Sequence, residues 1–434
     1  MKWSKFNIMF KSDHGSCYLY NSRSNSFFKL NDELYGLLSL VSTNRDMSDL
    51  SGELLDDLVG KKVVVNDFED DSYIVQMKYL KRKKSFNTST LSIVLAPTFA
   101  CNFKCPYCYE NNLNNLFIKE EIQNKLINFI SSNEVTAKNL HLCWHGGEPL
   151  LAFKEIKSIL NKIHESSKVP LTSHHMVSNG YLFNQEMCTF FRDTKLNYLQ
   201  ITVDGTEETH NRNRIHKSGV PTYQKIISNI DMILDEMPDC NVGVRVNIHN
   251  ENKDDYPSIY HELTERWKDK NCRVYSAFVL PQSNGCGVSC LSSKEKARFY
   301  IDLYRKYGFT NIDFCPSLNV GSCSAIYDKS FVIDPAGNLY KCWADFGVDE
   351  RIIGNLDEGI KKWDYISEYA LNSDKFVDQK CLDCNLFPVC EGGCNRFRVD
   401  NKLYGIPYDV CPVDENGLIG YLQIIYEQLN HSKL

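Results

Sequence analysis

Several familiar features are missing from this 434-residue chain. No apolar run follows the opening Met1-Lys-Trp-Ser-Lys-Phe-Asn, so nothing there reads as a secretory signal. No apolar stretch reaches the length of about 18 residues that a membrane helix needs. An excess of positive charge is also lacking. The formal net charge is −6, which argues against a polyanion-binding surface and against a nucleic-acid partner. Internal repeats and low-complexity tracts are absent. These absences predict a soluble cytoplasmic chain with neither membrane nor nucleic acid as partner. Cysteine, by contrast, is abundant at 18 residues. In a reducing compartment that points to bound metal rather than to disulfides. With 43% hydrophobic and 12% aromatic residues the chain can build large cores, and its length suits two or three domains.

Residues 1–85 read as a small separate domain. Phe6-Asn-Ile-Met-Phe10 and Cys17-Tyr-Leu-Tyr20 alternate as strands do, with Asp13-His-Gly15 as the turn and Phe27-Phe-Lys-Leu30 as a third strand. Asn31 or Asp32 caps a helix bearing Leu34, Leu37, Leu38 and Val41, and a second helix leads to a wing strand at Val63-Val-Val65. The pattern is winged-helix-like. Over residues 1–90 there are 13 Lys+Arg and 12 Asp+Glu, too even a balance for a DNA reader. The run Lys81-Arg-Lys-Lys84 reads as a solvated linker.

Between residues 91 and 308 apolar strands alternate with helical stretches six times. The strands begin near Leu91, Leu140, His174, Tyr198, Val242 and Arg273. The helix after the first strand shows Ile122, Leu126, Phe129 and Ile130 at the spacing of one buried face. Repeated βα units predict a parallel sheet, here a partial (β/α)6 barrel in an α/β fold, with ligands at the C-terminal strand ends. Residues 313–434 form a third, cysteine-rich region, closed by an apolar helix from Asn416 to Asn430.

Directly after the first strand comes Cys101-Asn-Phe-Lys-Cys105-Pro-Tyr-Cys108-Tyr109. Three thiolates at this spacing suit an iron–sulfur cluster and leave one iron open to an outside ligand. A structural zinc knuckle is the alternative, but zinc usually draws on two pairs of ligands and no second pair is near. The motif resembles the signature of the radical S-adenosylmethionine (SAM) superfamily. That resemblance implies a [4Fe–4S] cluster on Cys101, Cys105 and Cys108 that chelates SAM and splits it to a 5′-deoxyadenosyl radical. It also implies SAM contacts from Gly146, Gly147 and Glu148 of His145-Gly-Gly-Glu-Pro149, from Ser178 and Asn179 before Gly180, from Thr202, and from Arg214 on the SAM carboxylate. The Tyr107 backbone is expected against the adenine. Each of these motifs falls at the C-terminal end of a strand, where such a site belongs. Read without the resemblance, Gly-Gly-Glu-Pro is a turn, Ser178-Asn-Gly180 a helix cap and Arg214 a surface ion pair.

The C-terminal cysteines show a second pattern. Cys323 precedes Gly337 and Cys342, and then come Cys381, Cys384, Cys390, Cys394 and Cys411. This is similar to the seven-cysteine SPASM signature. The resemblance implies two auxiliary [4Fe–4S] clusters. Cys323, Cys342 and Cys394 would hold the first, with Cys315 as candidate fourth ligand. Cys381, Cys384, Cys390 and Cys411 would hold the second. The remaining Cys17, Cys143, Cys188, Cys240, Cys272, Cys286 and Cys290 read as small buried residues, with Cys286 and Cys290 in a loop that could border the active site.

As a whole the chain resembles the radical SAM/SPASM maturases of ribosomally made peptides. The resemblance implies three clusters, SAM, a low-potential donor such as flavodoxin or ferredoxin, and a precursor peptide whose leader sits on the N-terminal domain. The implied product is a thioether (C–S) or C–C cross-link, and the catalytic base is not assigned. Two other readings stay open. One is an anaerobic sulfatase-maturating enzyme making formylglycine, although Trp343 follows Cys342 where those enzymes typically carry an acid. The other is maturation of a peptide-derived redox cofactor.

Overall fold

A computed structural model describes the chain apart from residues 13, 51, 111–112, 134, 282–286, 311–322, 413–414 and 432–434. Asp13, Cys286 and Cys315 therefore lie outside the described residues. By its internal contacts the chain divides into two compact units. One comprises Phe86–Leu291 with Ser324–Ser367, the other Met1–Ser85 with Ser292–Cys323 and Glu368–Leu434. No helix among the described residues is long and apolar enough to cross a membrane. Every described cysteine is a free thiol.

The first of these units is built on six parallel strands that neighbour one another in chain order. They are β1 (Thr90–Leu95), β2 (Asn139–Trp144), β3 (Leu171–Ser178), β4 (Tyr198–Thr202), β5 (Asn241–Ile248) and β6 (Cys272–Phe278). The connecting helices are α1 (Glu120–Ser132), α2 (Phe153–Ser166), α3 (Gln185–Asp193), α4 (Glu207–Asn213), α5 (Tyr223–Glu236) and α6 (Tyr256–Arg266). This is the parallel α/β architecture that the sequence predicts. Register brings the C-terminal strand ends level: Leu95 faces Trp144, Ser178 faces Ile201, and Thr202 faces Arg245. The motif-bearing loops therefore leave one edge of the sheet.

Two details differ from the sequence reading. Helix α1 buries Gln123, Leu126, Ile127 and Ile130, whereas Ile122 and Phe129 are half-buried. Phe129 turns instead to Phe331, edge-to-face at 5.3 Å. Phe331 belongs to a seventh parallel strand, Ser330–Ile333, paired with β1 outside the region where periodicity is legible. A tight turn follows: Asp334 Oδ1 accepts from the backbone N–H groups of Ala336 and Asn338. Gly337 there has φ of 87°, which a side chain would strain. The chain returns antiparallel through Asn338–Tyr340 to Cys342.

In the other unit, Cys17–Asn21 is the middle strand of an antiparallel sheet, with Asn7–Lys11 and Ser26–Leu30 outside it. Strand Val64–Val65 pairs with Lys2–Trp3. Asn31 is the cap of helix Asp32–Asn44, its side chain accepting from the Leu34 N–H. One sheet face packs Ile8, Phe10, Tyr18 and Tyr20 against Leu422, Ile424 and Ile425 of helix Glu415–His431. Helix Ser293–Tyr307 lies against that same closing helix.

The basic run at 81–84 is not a solvated linker. It ends a third helix, Glu69–Ser85, and Lys81 is buried. Asp374 holds it there, with Lys81 Nζ at 3.8 Å and Arg82 Nη1 at 2.7 Å. A partner so remote in sequence leaves no local signal.

Candidate radical site

The cysteine loop rests on two neighbours. On one side, the Lys104 N–H donates to the Ile215 carbonyl at 2.8 Å, and the Lys217 N–H to that of Asn102 at 2.8 Å. The loop is thus paired with the segment immediately after Arg214. On the other side, the Gly147 N–H donates to the Thr98 carbonyl at 3.2 Å and the Glu148 N–H to that of Ala100 at 2.8 Å. A Cβ on Gly147 would come 2.3 Å from the Ala100 oxygen and 2.5 Å from that of Phe99. On Gly146, where φ is 102°, it would come 2.5 Å from the Thr98 oxygen. Close backbone packing beneath the cysteine loop accounts for both glycines, independently of any ligand.

Glu148 is fully buried and joins the ends of β2 and β3. Its Oε1 accepts from the Ser178 hydroxyl at 2.8 Å and from the Leu150 N–H at 3.1 Å, and its Oε2 accepts from the Asn179 N–H at 2.7 Å. Desolvation raises the Glu148 pKa, and these donors oppose it. The Asn179 Nδ2 donates in turn to Asn102 Oδ1 at 2.7 Å. Glu148, Ser178 and Asn179 are therefore one network tied to the cysteine loop.

A second network gathers around Tyr107. Its hydroxyl donates to Asp204 Oδ2 and accepts from Asn247 Nδ2 at 3.2 Å and from Arg214 Nη1 at 3.4 Å. The Arg214 guanidinium also lies 5.3 Å from the Phe103 ring centre. Burial raises the pKa of Asp204, and Arg214 counters it. His210 is held neutral by burial, its Nδ1 accepting from the Asp204 N–H at 3.3 Å. Thr202 closes β4 just ahead of Asp204 and is buried. Asp204, His210, Asn247 and Asn102 were not among the expected contact residues. The Thr202-Val-Asp204-Gly205 motif was the signal for Asp204, whereas Asn247 becomes a neighbour only through strand register.

Cys101, Cys105 and Cys108 lie within electrostatic reach of one another. Desolvation pushes the Cys101 and Cys108 thiols up to about 12, and raises that of Cys105. Among the described residues no three Cys, His, Asp or Glu side chains are drawn together tightly enough for a single metal ion. A cubane cluster needs a wider spread, since each thiolate binds a different iron. Around the loop, Asn102 Nδ2, Asp204 Oδ1, His210 Nε2 and Arg214 Nε are buried without a protein partner. Polar atoms in that state fit a site built for a charged, hydrogen-bonding ligand. Residues 95–263 match the radical SAM superfamily.

The chain contains a radical SAM domain. It is 25% identical over 320 residues to the serine-type anaerobic sulfatase-maturating enzyme of Klebsiella aerogenes, covering 68% of this chain and 77% of the relative. Among solved structures, the native sulfatase-maturating enzyme anSMEcpe with bound AdoMet and the Kp18Cys peptide matches at a TM-score of 0.61 with 18% identity. That match covers 79% of this chain and 99% of the other. Streptococcus suis SuiB bound to precursor peptide SuiA matches at 0.52 with 14% identity, over 91% of this chain and 95% of the other. The chain is thus similar in sequence to an anaerobic sulfatase-maturating enzyme and, at 20% identity over 438 residues, to the radical SAM cyclopropyl synthase TigE of Paramaledivibacter caminithermalis.

A further group borders the site. His145 Nδ1 accepts from the Gly146 N–H at 2.7 Å, and its ring stacks on Trp343 with centres 5.3 Å apart. Glu110 Oε1 lies 3.7 Å from His145, an ion-pair distance. Burial nevertheless pushes Glu110 up to about 8 and His145 down to about 4, so at neutral pH both are mainly uncharged. Gly287 lies against Pro106 of the cysteine loop, where its Cβ would meet the Pro106 oxygen at 2.2 Å.

The auxiliary cysteines fall in both units. Cys323 and Cys394 are within electrostatic reach of each other in the unit holding the chain ends, and Cys342 belongs to the unit built on the parallel sheet. Cys390 lies within electrostatic reach of Cys384 and of Cys411, and Lys375 lies within reach of both Cys390 and Cys381.

Proposed function

We propose that this radical SAM enzyme removes a hydrogen atom from a ribosomally made precursor peptide and joins two of its residues through a thioether or carbon–carbon bond. The observation that carries the reading is the three-thiol loop with Arg214, Asp204 and Tyr107 gathered behind it. A cluster on Cys101, Cys105 and Cys108, when reduced with SAM bound, supplies the 5′-deoxyadenosyl radical. Arg214 holds the SAM carboxylate as a charge-assisted pair, and the backbone at Gly146 and Gly147, together with Glu148, faces its amine. Ser178 and Asn179 serve the ribose, Thr202 also reaches SAM, and the Tyr107 backbone meets the adenine. Cys323, Cys342, Cys394 and Cys315 serve one auxiliary cluster, and Cys381, Cys384, Cys390 and Cys411 the other. Residues 1–85 take the leader by strand addition at an outer strand, Asn7–Lys11 or Ser26–Leu30. A flavodoxin or ferredoxin in the cytoplasm supplies the electron.

Anaerobic reconstitution tests this. The enzyme should bind about twelve irons, and replacing Cys101, Cys105 and Cys108 by Ala should remove roughly a third of them. The same variant should make no 5′-deoxyadenosine with dithionite and SAM. If it still does, the radical site has been misassigned.

Formylglycine formation is the second reading, favoured by the 25% identity to the Klebsiella aerogenes enzyme. Against it stands Trp343, stacked on His145 directly after Cys342. Fragment masses of the product separate the two, because a cross-link unites two residues and formylglycine alters one.

A further inference from the structure

Helix Asn395–Leu403 begins straight after Cys394 and carries Arg398 on its first turn. The guanidinium does not face water: its side chain is 9% exposed. Nε donates to the Gly392 carbonyl at 2.9 Å, Nη1 to Asp378 Oδ2 at 2.6 Å, and Nη2 to the Cys381 sulfur at 3.1 Å. One planar cation thus ties together three parts of the four-cysteine loop. Asp378 Oδ2 itself lies 3.5 Å from the Cys381 sulfur. A thiolate there would be repelled by that carboxylate, and Arg398, donating to both groups, offsets the repulsion. Lys375 adds a second buried cation, its Nζ donating to the Cys390 carbonyl at 2.6 Å.

Reduction of an iron–sulfur cluster adds negative charge to a group that is already anionic. A cation donating a hydrogen bond to a ligand sulfur stabilises the reduced form more than the oxidised one, and does so strongly where water is excluded. We infer that Arg398 is a positioning residue that raises the reduction potential of the cluster held by Cys381, Cys384, Cys390 and Cys411, through its bond to the Cys381 sulfur. Asp378 acts the opposite way and is restrained by the same guanidinium. The inference rests on the proposed assignment of those four cysteines to one cluster.

The test uses the full chain with Cys101, Cys105 and Cys108 already replaced by Ala, so that only auxiliary iron remains. Double replacement of Cys381 and Cys384 by Ala examines the assignment itself. If iron content does not fall, the cluster reading fails, whatever Arg398 does. If it falls, EPR-monitored redox titration of Arg398→Lys and Arg398→Met decides the inference. The expected result is unchanged iron, with one auxiliary midpoint shifted to lower potential in the Met variant and by less in the Lys variant. Asp378→Asn, which spares the sulfur bond, should leave that midpoint where it was or raise it. Unshifted midpoints in both Arg398 variants overturn the inference. So does a fall in Asp378→Asn as large as that in Arg398→Met, which would mark general disruption of the loop. If Arg398→Met loses iron, the Lys variant decides alone, and loss of iron there too would make Arg398 a structural clamp.

Discussion

At Gly147 a methyl group would sit 2.3 Å from the Ala100 carbonyl oxygen, and the atoms in its way are backbone. Gly147→Ala must therefore displace the segment that delivers Cys101. It should lower the iron bound by the radical site and SAM cleavage together, as an iron assay on the purified variant would show. Gly36 is the counter-case, an open helix position with nothing within 4 Å of its absent Cβ. Gly36→Ala should stabilise the chain by about 0.5–1 kcal/mol in a denaturant titration. A third residue governs acid stability. His174 is buried, its Nε2 accepting from the Trp144 indole at 2.7 Å, and burial lowers its pKa from 6.5 to about 4. The unfolded chain then binds the extra proton between those values. The contribution is full above about pH 6.5 and falls by about 3 kcal/mol as pH drops toward 4. His174→Gln keeps an acceptor for Trp144 and should flatten the slope of Tm against pH in that window. The cysteine spacing, Arg214 and Glu148 were legible because chemistry confined them to short motifs. The meeting of Tyr107 with Asp204 and Asn247 was not, since it depends on which strands lie side by side.

Elements were legible where periodicity was long and hidden where it was short. The six parallel strands announce themselves by alternation with helices. Strand Ser330–Ile333 has four residues, and its pairing with β1 on one side and Asn338–Tyr340 on the other makes it a strand. Helix Ser293–Tyr307 reads from the sequence as the sixth barrel helix, yet its contacts are with Glu415–His431, a choice no local pattern records. Helix Glu69–Ser85 has a charged C-terminal turn that looks solvated until Asp374 is placed against it. That carboxylate is 3% exposed and faces both Lys81 and Arg82. Asp374→Ala would leave two cations without their counter-charge, one of them buried. A loss of about 3 kcal/mol is expected, measured as a lower urea midpoint with unchanged slope.

Across the whole chain, residues 1–85 share a hydrophobic cluster with the closing helix, where Tyr18 and Phe27 meet Tyr426 at ring distances of 4.7 and 5.6 Å. Removing them would strip that cluster bare, so the leader proposal is best examined on the intact enzyme. Hydrogen exchange with and without leader peptide should show new protection in Asn7–Lys11 or Ser26–Leu30, with little dependence on salt because the region is near neutral. Protection confined to other segments would remove the leader-binding role from this sheet. The arrangement also bears on how the protein is made. Phe10, Tyr18, Tyr20 and Phe27 leave the ribosome long before Leu422, Ile425 and Tyr426 have been translated. At ordinary elongation rates the interval is on the order of tens of seconds. Throughout it, an aromatic sheet face waits for a helix that does not yet exist. A nascent chain stalled between those two points would expose a surface that chaperones bind, and the sheet's aromatic face would be the place to find them.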